Sequence, residues 1–311
     1  MSEPMIQTQD LTKIYGDLTA VDHLNLTVDE GEIFGFLGPN GSGKTTTLLL
    51  LLGLSTPASG TAIVGGYDVV KNSREVRKIA GSLPEFAGYY ENLTAKQYLD
   101  YIGQLNDLPL TERERRTTDL LADVGLTKCG DRKVETFSRG MKQRLGIAQA
   151  LIKDPKIVFL DEPTIGLDPE GIKEIRDLIF RLNKDRGLTV FLSSHLLHEV
   201  QVTCSRVGII RQGKLVATDT IENFTKELAG KEEKSIEFKL INVTPKLLKE
   251  LKGIGGVTSV TQENDRLYVH MAEDNTEEVS KTITKNGATI LLMKPREYTL
   301  EEVFMKYYQE A

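Results

Sequence analysis

Tryptophan is missing from the 311 residues, and aromatic residues of all kinds make up only 6 %. That scarcity disfavours a platform that stacks single-stranded bases on successive rings. Cysteine is nearly missing too: Cys129 and Cys204 stand far apart, with no C-x-x-C spacing. Neither a disulfide framework nor a cysteine zinc site is expected, and a reducing cytoplasm fits. Basic residues are outnumbered by acidic ones, 39 to 45, which leaves a net charge of −6. That balance argues against nucleic acid as a partner. No apolar run approaches the ~20 residues that span a bilayer. The leucine-rich stretch from Leu48 to Leu54 makes only about two helical turns. Met1-Ser2-Glu3-Pro4-Met5 offers no basic flank ahead of an apolar core, so no secretory signal is expected.

What is present carries more information. Gly38-Pro39-Asn40-Gly41-Ser42-Gly43-Lys44-Thr45 fits G-x-x-x-x-G-K-S/T, the phosphate-binding loop. Ile33–Leu37 ahead of it reads as a buried strand, and Thr46–Leu52 behind it as the first turns of a helix. Glycines let the backbone curl until successive N–H groups face an anion. The helix N-terminus adds partial positive charge. Lys44 can reach outer phosphates, and the Thr45 hydroxyl can ligate Mg²⁺.

A second motif supplies the carboxylates. Lys156–Leu160 is an apolar strand ending in Asp161-Glu162-Pro163. Asp161, at the carboxyl end, can hold the hydration shell of Mg²⁺. Glu162 is then placed to polarise an attacking water. Between the two motifs, Glu135–Arg144 opens a helix, with Ser138 as a credible N-cap. Ser-x-Gly at a helix start is another potential anion cradle, but on its own it reads first as a plain capped helix.

Strands and helices alternate around these motifs, which implies a parallel sheet with covering helices. Ile6 to Val28 suggests strands with a turn at Gly16-Asp17, and Thr61–Val64 another strand. A polar, charged helical insert, about residues 88–152, splits the core into two sequence-distant pieces. A composition shift at Ala229–Lys234 reads as a linker. Beyond it the order is strand Ser235–Leu240, helix Pro245–Leu251, strand Val257–Gln262, strand Arg266–Met271, helix Thr276–Lys285, strand Thr289–Lys294. Asn264-Asp265 makes a hairpin turn, and a last helix runs from Leu300 to Gln309. This β-α-β-β-α-β order suggests a small ferredoxin-like domain. The expected division is therefore residues 1–229 and 230–311, and the fold class is α/β with an added α+β domain.

Taken together, residues Ile6 to Leu228 resemble the ATP-binding-cassette (ABC) ATPases. The order of parts carries the resemblance: phosphate loop, helical insert, signature, Asp161-Glu162, the Gly166-Leu167-Asp168 loop, then His195 after strand Thr189–Leu192. The family signature Leu-Ser-Gly-Gly-Gln reads here Phe137-Ser138-Arg139-Gly140-Met141, keeping Ser138 and Gly140. The family's glutamine loop falls at Ser82-Leu83-Pro84-Glu85, with Glu85 where glutamine is usual. The resemblance implies an ABC ATPase core with an antiparallel β subdomain and helical insert. It also implies ATP and Mg²⁺ as cofactors. Residues Gly38 to Thr46 would contact the nucleotide, and Tyr15 would stack on adenine; an ordinary edge-strand aromatic remains the other reading of Tyr15. Thr45, Asp161 and Glu85 would serve the metal, although a solvated carboxylate at position 85 needs no role. Glu162 and His195 would be catalytic. Ser138, Arg139, Gly140 and Met141 would face the ATP of a partner subunit. Asp168 would contact that partner as well as cap its own helix.

The implied assembly is a head-to-tail dimer, of two copies or of one copy and a paralogous ATPase. The implied partner is a separate polytopic membrane permease, with the chain peripheral on the cytoplasmic face of the cell membrane. A soluble cassette ATPase acting on ribosomes or DNA is the alternative. Against it stand a single cassette, no long heptad arm and an acidic balance. The motifs Ser82–Glu85, Phe137–Gly146 and Tyr298–Phe304 look like the prokaryotic exporter branch, which includes drug- and sodium-efflux systems.

Overall fold

The computed structural model describes residues 4–224, 234–263, 265–295, 302, 304 and 305. Its contacts divide the chain into two units, Met1–Thr220 and Ile221–Ala311. The predicted boundary at 229/230, most of the 229–234 linker, Asn264, and the predicted last helix apart from Glu302, Phe304 and Met305 lie outside the described residues.

Apolar runs without alternation mark strands buried on both faces. Three such runs form the centre of the first unit: β4 (Ile33–Leu37), β8 (Ile157–Asp161) and β9 (Thr189–Ser194), every residue of which is buried. They pair in parallel, β4 with β9 and β9 with β8. Phe34, Phe36 and Phe159 surround Phe191 with ring centroids 5.3–5.6 Å apart. Burying each such ring contributes roughly 2–3 kcal/mol. β10 (Arg206–Arg211) extends the sheet in parallel beside β4, and β11 (Lys214–Thr220) returns antiparallel. On the other side lies β7 (Ala80–Leu83), parallel to β8. The full order is β11-β10-β4-β9-β8-β7.

Register then decides where the chemistry collects. Leu37 pairs with Ser194, Asp161 with Ser193, and Leu83 with Leu160. Four parallel strands therefore end level, and the residues after each end share one edge of the sheet. In open α/β sheets ligands bind at that carboxyl edge.

A second, antiparallel sheet holds β1 (Ile6–Tyr15), β2 (Leu18–Leu24), β3 (Thr27–Val28), β5 (Ser59–Val64) and β6 (Tyr67–Asp68). The turn between β1 and β2 is Gly16-Asp17, as the sequence suggests, with Gly16 at φ 55°. Helices α1 (Lys44–Leu51) and α2 (Ser73–Ile79) follow, then α3 (Ala95–Leu105), α4 (Leu110–Asp123) and α5 (Arg139–Leu151). α3 starts on a reciprocal cap in which Thr94 and Gln97 satisfy each other's backbone N–H. α6 (Pro169–Arg186) and α7 (Leu197–Thr203) complete the unit.

The second unit builds β12 (Lys234–Ile241), α8 (Pro245–Lys252), β13 (Val257–Glu263), β14 (Arg266–Met271), α9 (Thr276–Lys285) and β15 (Thr289–Pro295). All pairings are antiparallel, in the order β13-β14-β12-β15. That is the ferredoxin-like arrangement the element order suggests. Its own core includes Phe238, Leu247, Leu251, Val269, Val279 and Ile283. Thr244 caps α8, accepting from the Leu247 N–H, with Pro245 at the first helical position.

Candidate functional site

The phosphate loop leaves β4 and enters α1 at Lys44. Gly43 sits at φ 107°, open to glycine and costly for other residues. Gly38 is held for a different reason. A Cβ there would lie 2.5 Å from the Ile210 carbonyl oxygen, so only a bare backbone passes. The loop encloses Lys44, which is only 6 % exposed. Its ammonium donates to the Gly38 and Pro39 carbonyls at 2.7 and 3.2 Å. It also lies 3.3 Å from Glu162 Oε1. A phosphate bound by Lys44 would have to replace these loop carbonyls with its own oxygens.

The carboxylates are equally committed. Thr45 Oγ1 donates to Asp161 Oδ2 at 2.8 Å, and Ser193 Oγ donates to Asp161 Oδ1. Asp161 is thus fixed from two elements, α1 and β9, and the β8–β9 register sets Ser193 beside it. Glu162 is buried, with φ at 50°, a left-handed conformation that non-glycine residues seldom adopt. Such strain persists where the surroundings over-determine it, and it collects at functional sites. Glu162 Oε2 accepts from the His195 backbone N–H at 3.3 Å and lies 2.8 Å from His195 Nδ1. Its other oxygen is buried with no aligned hydrogen bond; the Lys44 ammonium is near but off-axis.

These groups face a cavity of about 650 Å³. Of the predicted residues, Tyr15, Asn40, Gly41, Gly43, Lys44 and Thr45 line it, as do Thr46, Glu85, Asp161 and Glu162. Gly38, Pro39 and Ser42 form the loop behind that wall, and Gly38 N–H bonds the Ser194 carbonyl at 3.4 Å. His195 reaches the site through Glu162. Tyr15 is half exposed, with the Lys13 ammonium 4.8 Å from its ring centroid. Thr45, Asp161 and Glu85 present hard oxygen donors on one cavity, the donor chemistry that suits Mg²⁺.

Sequence reasoning missed part of the wall. Leu18, Thr19 and Ala20 line the cavity from β2, and Gln212 and Gly213 from the β10–β11 turn. Both turn residues have positive φ, 48° and 82°, in a two-residue hairpin between the paired Arg211 and Lys214. Gly213 N–H then bonds the Ser42 carbonyl at 2.9 Å, propping the phosphate loop. The Gln-Gly pair between two apolar runs was the available signal. β7 was also missed, and it is the strand that delivers Glu85.

The signature residues do not join this cavity. Ser138, Arg139, Gly140 and Asp168 line a separate groove of about 490 Å³. Two helices start there. Ser138 Oγ accepts from the Met141 N–H at 3.3 Å to cap α5, and Asp168 Oδ1 accepts from the Gly171 N–H at 2.8 Å to cap α6. Arg139 lies over Gly166, which has φ 68°; a Cβ there would sit 2.8 Å from Nη2.

A loop that grips phosphate, oxygen donors for a hard cation and a buried carboxylate held by histidine form the equipment of a phosphate-loop nucleotide hydrolase. Comparisons with known proteins narrow that class. The family model described as ABC transporter matches residues 21–165. Bacitracin transport ATP-binding protein BcrA of Bacillus licheniformis is 40 % identical over 97 % of this chain and 96 % of its own length. Linearmycin resistance ATP-binding protein LnrL of Bacillus subtilis is 33 % identical over 97 % of each. Among solved structures, an ATP-binding subunit of an ABC transporter superposes with TM-score 0.64 at 29 % identity, covering 72 % of this chain and 93 % of its own. An ATP-binding cassette solved as a dimer in a post-hydrolysis state, bound to ADP and Pi, gives TM-score 0.63 at 26 % identity, covering 70 % and 99 %. The chain belongs to the ABC transporter family, among its ATP-binding proteins. It is a Mg²⁺-dependent ATPase.

Proposed function

We propose that this chain powers an exporter. Two ATPase subunits, two copies or one copy and a paralogue, close head to tail around ATP while a separate polytopic permease carries the cargo. In each interface the phosphate loop of one subunit and the Ser138/Gly140 groove of the other hold one nucleotide. The observation that supports this most is the split of the machinery. One chain carries a complete phosphate-gripping cavity and, apart from it, a groove with two capped helix N-termini. Such ends favour a triphosphate anion and lose their grip when γ-phosphate leaves.

In the hydrolytic step Glu162 orients a water in line with the γ-phosphorus and accepts its proton. The new P–O bond forms as the bond to the β-phosphate oxygen breaks, giving ADP and phosphate. Lys44 offsets phosphate charge. His195 holds Glu162 and registers the γ-phosphate. Thr45 and Asp161, with Glu85 beside them, would hold Mg²⁺, which would supply positive charge to offset that of the phosphates. Tyr15, at the cavity mouth, stacks on the base.

No described helix is long and apolar enough to cross a membrane. On this reading the chain attaches to the cytoplasmic face of the cell membrane through its permease. The cargo class is the antibiotic type for which its relatives are named, bacitracin or linearmycin. The second unit, expected from the sequence over residues 230–311, serves dimerisation or regulation. Tagged Glu162→Gln protein, expressed in the source organism and captured with ATP and Mg²⁺, tests the reading. A polytopic membrane protein should be the main partner, and loss of the gene should sensitise cells to such an antibiotic. Ribosomes or DNA as the main partner would overturn it.

A further inference from the structure

We infer that Tyr89 is a positioning residue that ties the Glu85 segment to the signature helix, so that the nucleotide cavity and the Ser138 groove move as one. The Tyr89 phenol donates to the Lys142 carbonyl at 2.8 Å, in the first turn of α5. That carbonyl already serves the helix, since it is the i−4 acceptor for the Gly146 N–H. A second donor coming from another element needs room beside the helix backbone. Gly146 provides the opening: a Cβ at 146 would lie 2.7 Å from the Tyr89 hydroxyl and 2.6 Å from Leu83 Cδ1. Glycine inside a helix costs about 1 kcal/mol relative to alanine, and its place here is explained by what it admits.

The two contacts bracket one segment. Leu83 ends β7, Glu85 lines the nucleotide cavity, and Tyr89 is fastened to α5. The Tyr89 ring packs on Tyr98 at 5.7 Å between centroids, which sets its direction. Burial raises the Tyr89 phenol above its ordinary range, so it remains a protonated donor. Lys142 also pairs with Glu91, a more exposed and weaker fastening. Three residues before Tyr89, Phe86 is 85 % exposed, so the segment is open to solvent midway and clamped at both ends. A shift of Glu85 is thereby passed to the turn that carries Ser138.

The inference rests on the proposed sandwich, and the test separates the two. In a Glu162→Gln background, ATP-driven dimerisation is measured by analytical ultracentrifugation, alongside ATP binding and thermal unfolding. Turnover is measured without that substitution. Tyr89→Phe keeps the ring and removes one hydroxyl. It should leave KM unchanged and lower kcat and dimer affinity about fivefold, the worth of one neutral hydrogen bond. Tyr98→Phe loses a bond to Gln149 in the same ring cluster but touches no first-turn carbonyl; it should leave dimerisation unchanged. Gly146→Ala should reproduce the Tyr89→Phe split. Equal dimerisation by Tyr89→Phe and its parent overturns the inference alone. An equal loss in Tyr98→Phe also overturns it, because general loosening then explains the effect. Failure of the Glu162→Gln parent to dimerise overturns the sandwich and this inference together.

Discussion

The nucleotide cavity and the signature groove lie in one compact unit yet are built on opposite plans. In the cavity Lys44, Asp161 and Glu162 are buried and already partnered: Lys44 with Glu162, Thr45 and Ser193 with Asp161, His195 with Glu162. In the groove the polar groups are caps on helix N-termini, with Ser138 and Asp168 serving their own helices. Buried, paired groups are preorganised and cost little to realign at the moment of reaction. Capped, open helix ends offer a weak field that matters only when an anion is brought to them. On the proposed reading the cavity binds and hydrolyses, and the groove completes a site supplied from elsewhere.

Substitutions that strike one side and spare the other test this contrast. The largest effect is expected from Glu162→Gln, which keeps shape and removes the proposed base. Turnover should fall about 10³-fold, within the span of general-base catalysis, while filter binding still detects ATP. Near-normal turnover would remove Glu162 from its assigned role. Next is Lys44→Ala, which strips the charge-assisted contacts to phosphate. ATP affinity by calorimetry should drop about 100-fold. The melting temperature should fall as well, because the buried Glu162 loses the lysine beside its Oε1 and keeps only His195.

Ser138→Ala strikes only the groove. It should cost about 1 kcal/mol of stability as a lost cap. It should lower turnover and dimerisation but not the ATP affinity of the single subunit. A loss of that affinity would merge the two sites. The smallest effect concerns the helical region that carries the groove. The Arg113 guanidinium, 2.7 Å from Asp100, holds the Asp100 carboxyl below its usual range. A depressed carboxylate stabilises the fold above its unfolded pKa, and that contribution fades as pH falls through the folded value. Asp100→Asn should therefore cost under about 1 kcal/mol at pH 7. Urea titration should show the difference from the parent closing below about pH 4.

Much of the cavity was legible because its parts are contiguous. Gly38–Thr45 and Asp161-Glu162 are short runs whose chemistry follows from neighbours in the chain. Elements adjacent in sequence were legible for the same reason, including all six strands and helices of the second unit's β-α-β-β-α-β pattern. β7 was not. Ala80-Gly81-Ser82-Leu83 is short and only half apolar, and it becomes a strand by pairing with β8. Leu18–Ala20 and Gln212-Gly213 were not legible as cavity wall, because one comes from the antiparallel sheet and the other from a hairpin far along the chain.

By itself the sequence determined the reaction class, since a loop of backbone N–H groups, a lysine and a strand-end carboxylate pair act through local covalent spacing. Only the tertiary structure decided which groups meet. The parallel register of β4, β9 and β8 brings Ser193 to Asp161 and His195 to Glu162, and holds Glu162 in a left-handed turn. It also keeps Ser138 in a groove apart from the cavity of its own chain. Those outcomes depend on contacts between residues far apart in sequence, and chain folding closes such contacts only by burying the phenylalanine-rich sheet that lies beneath them.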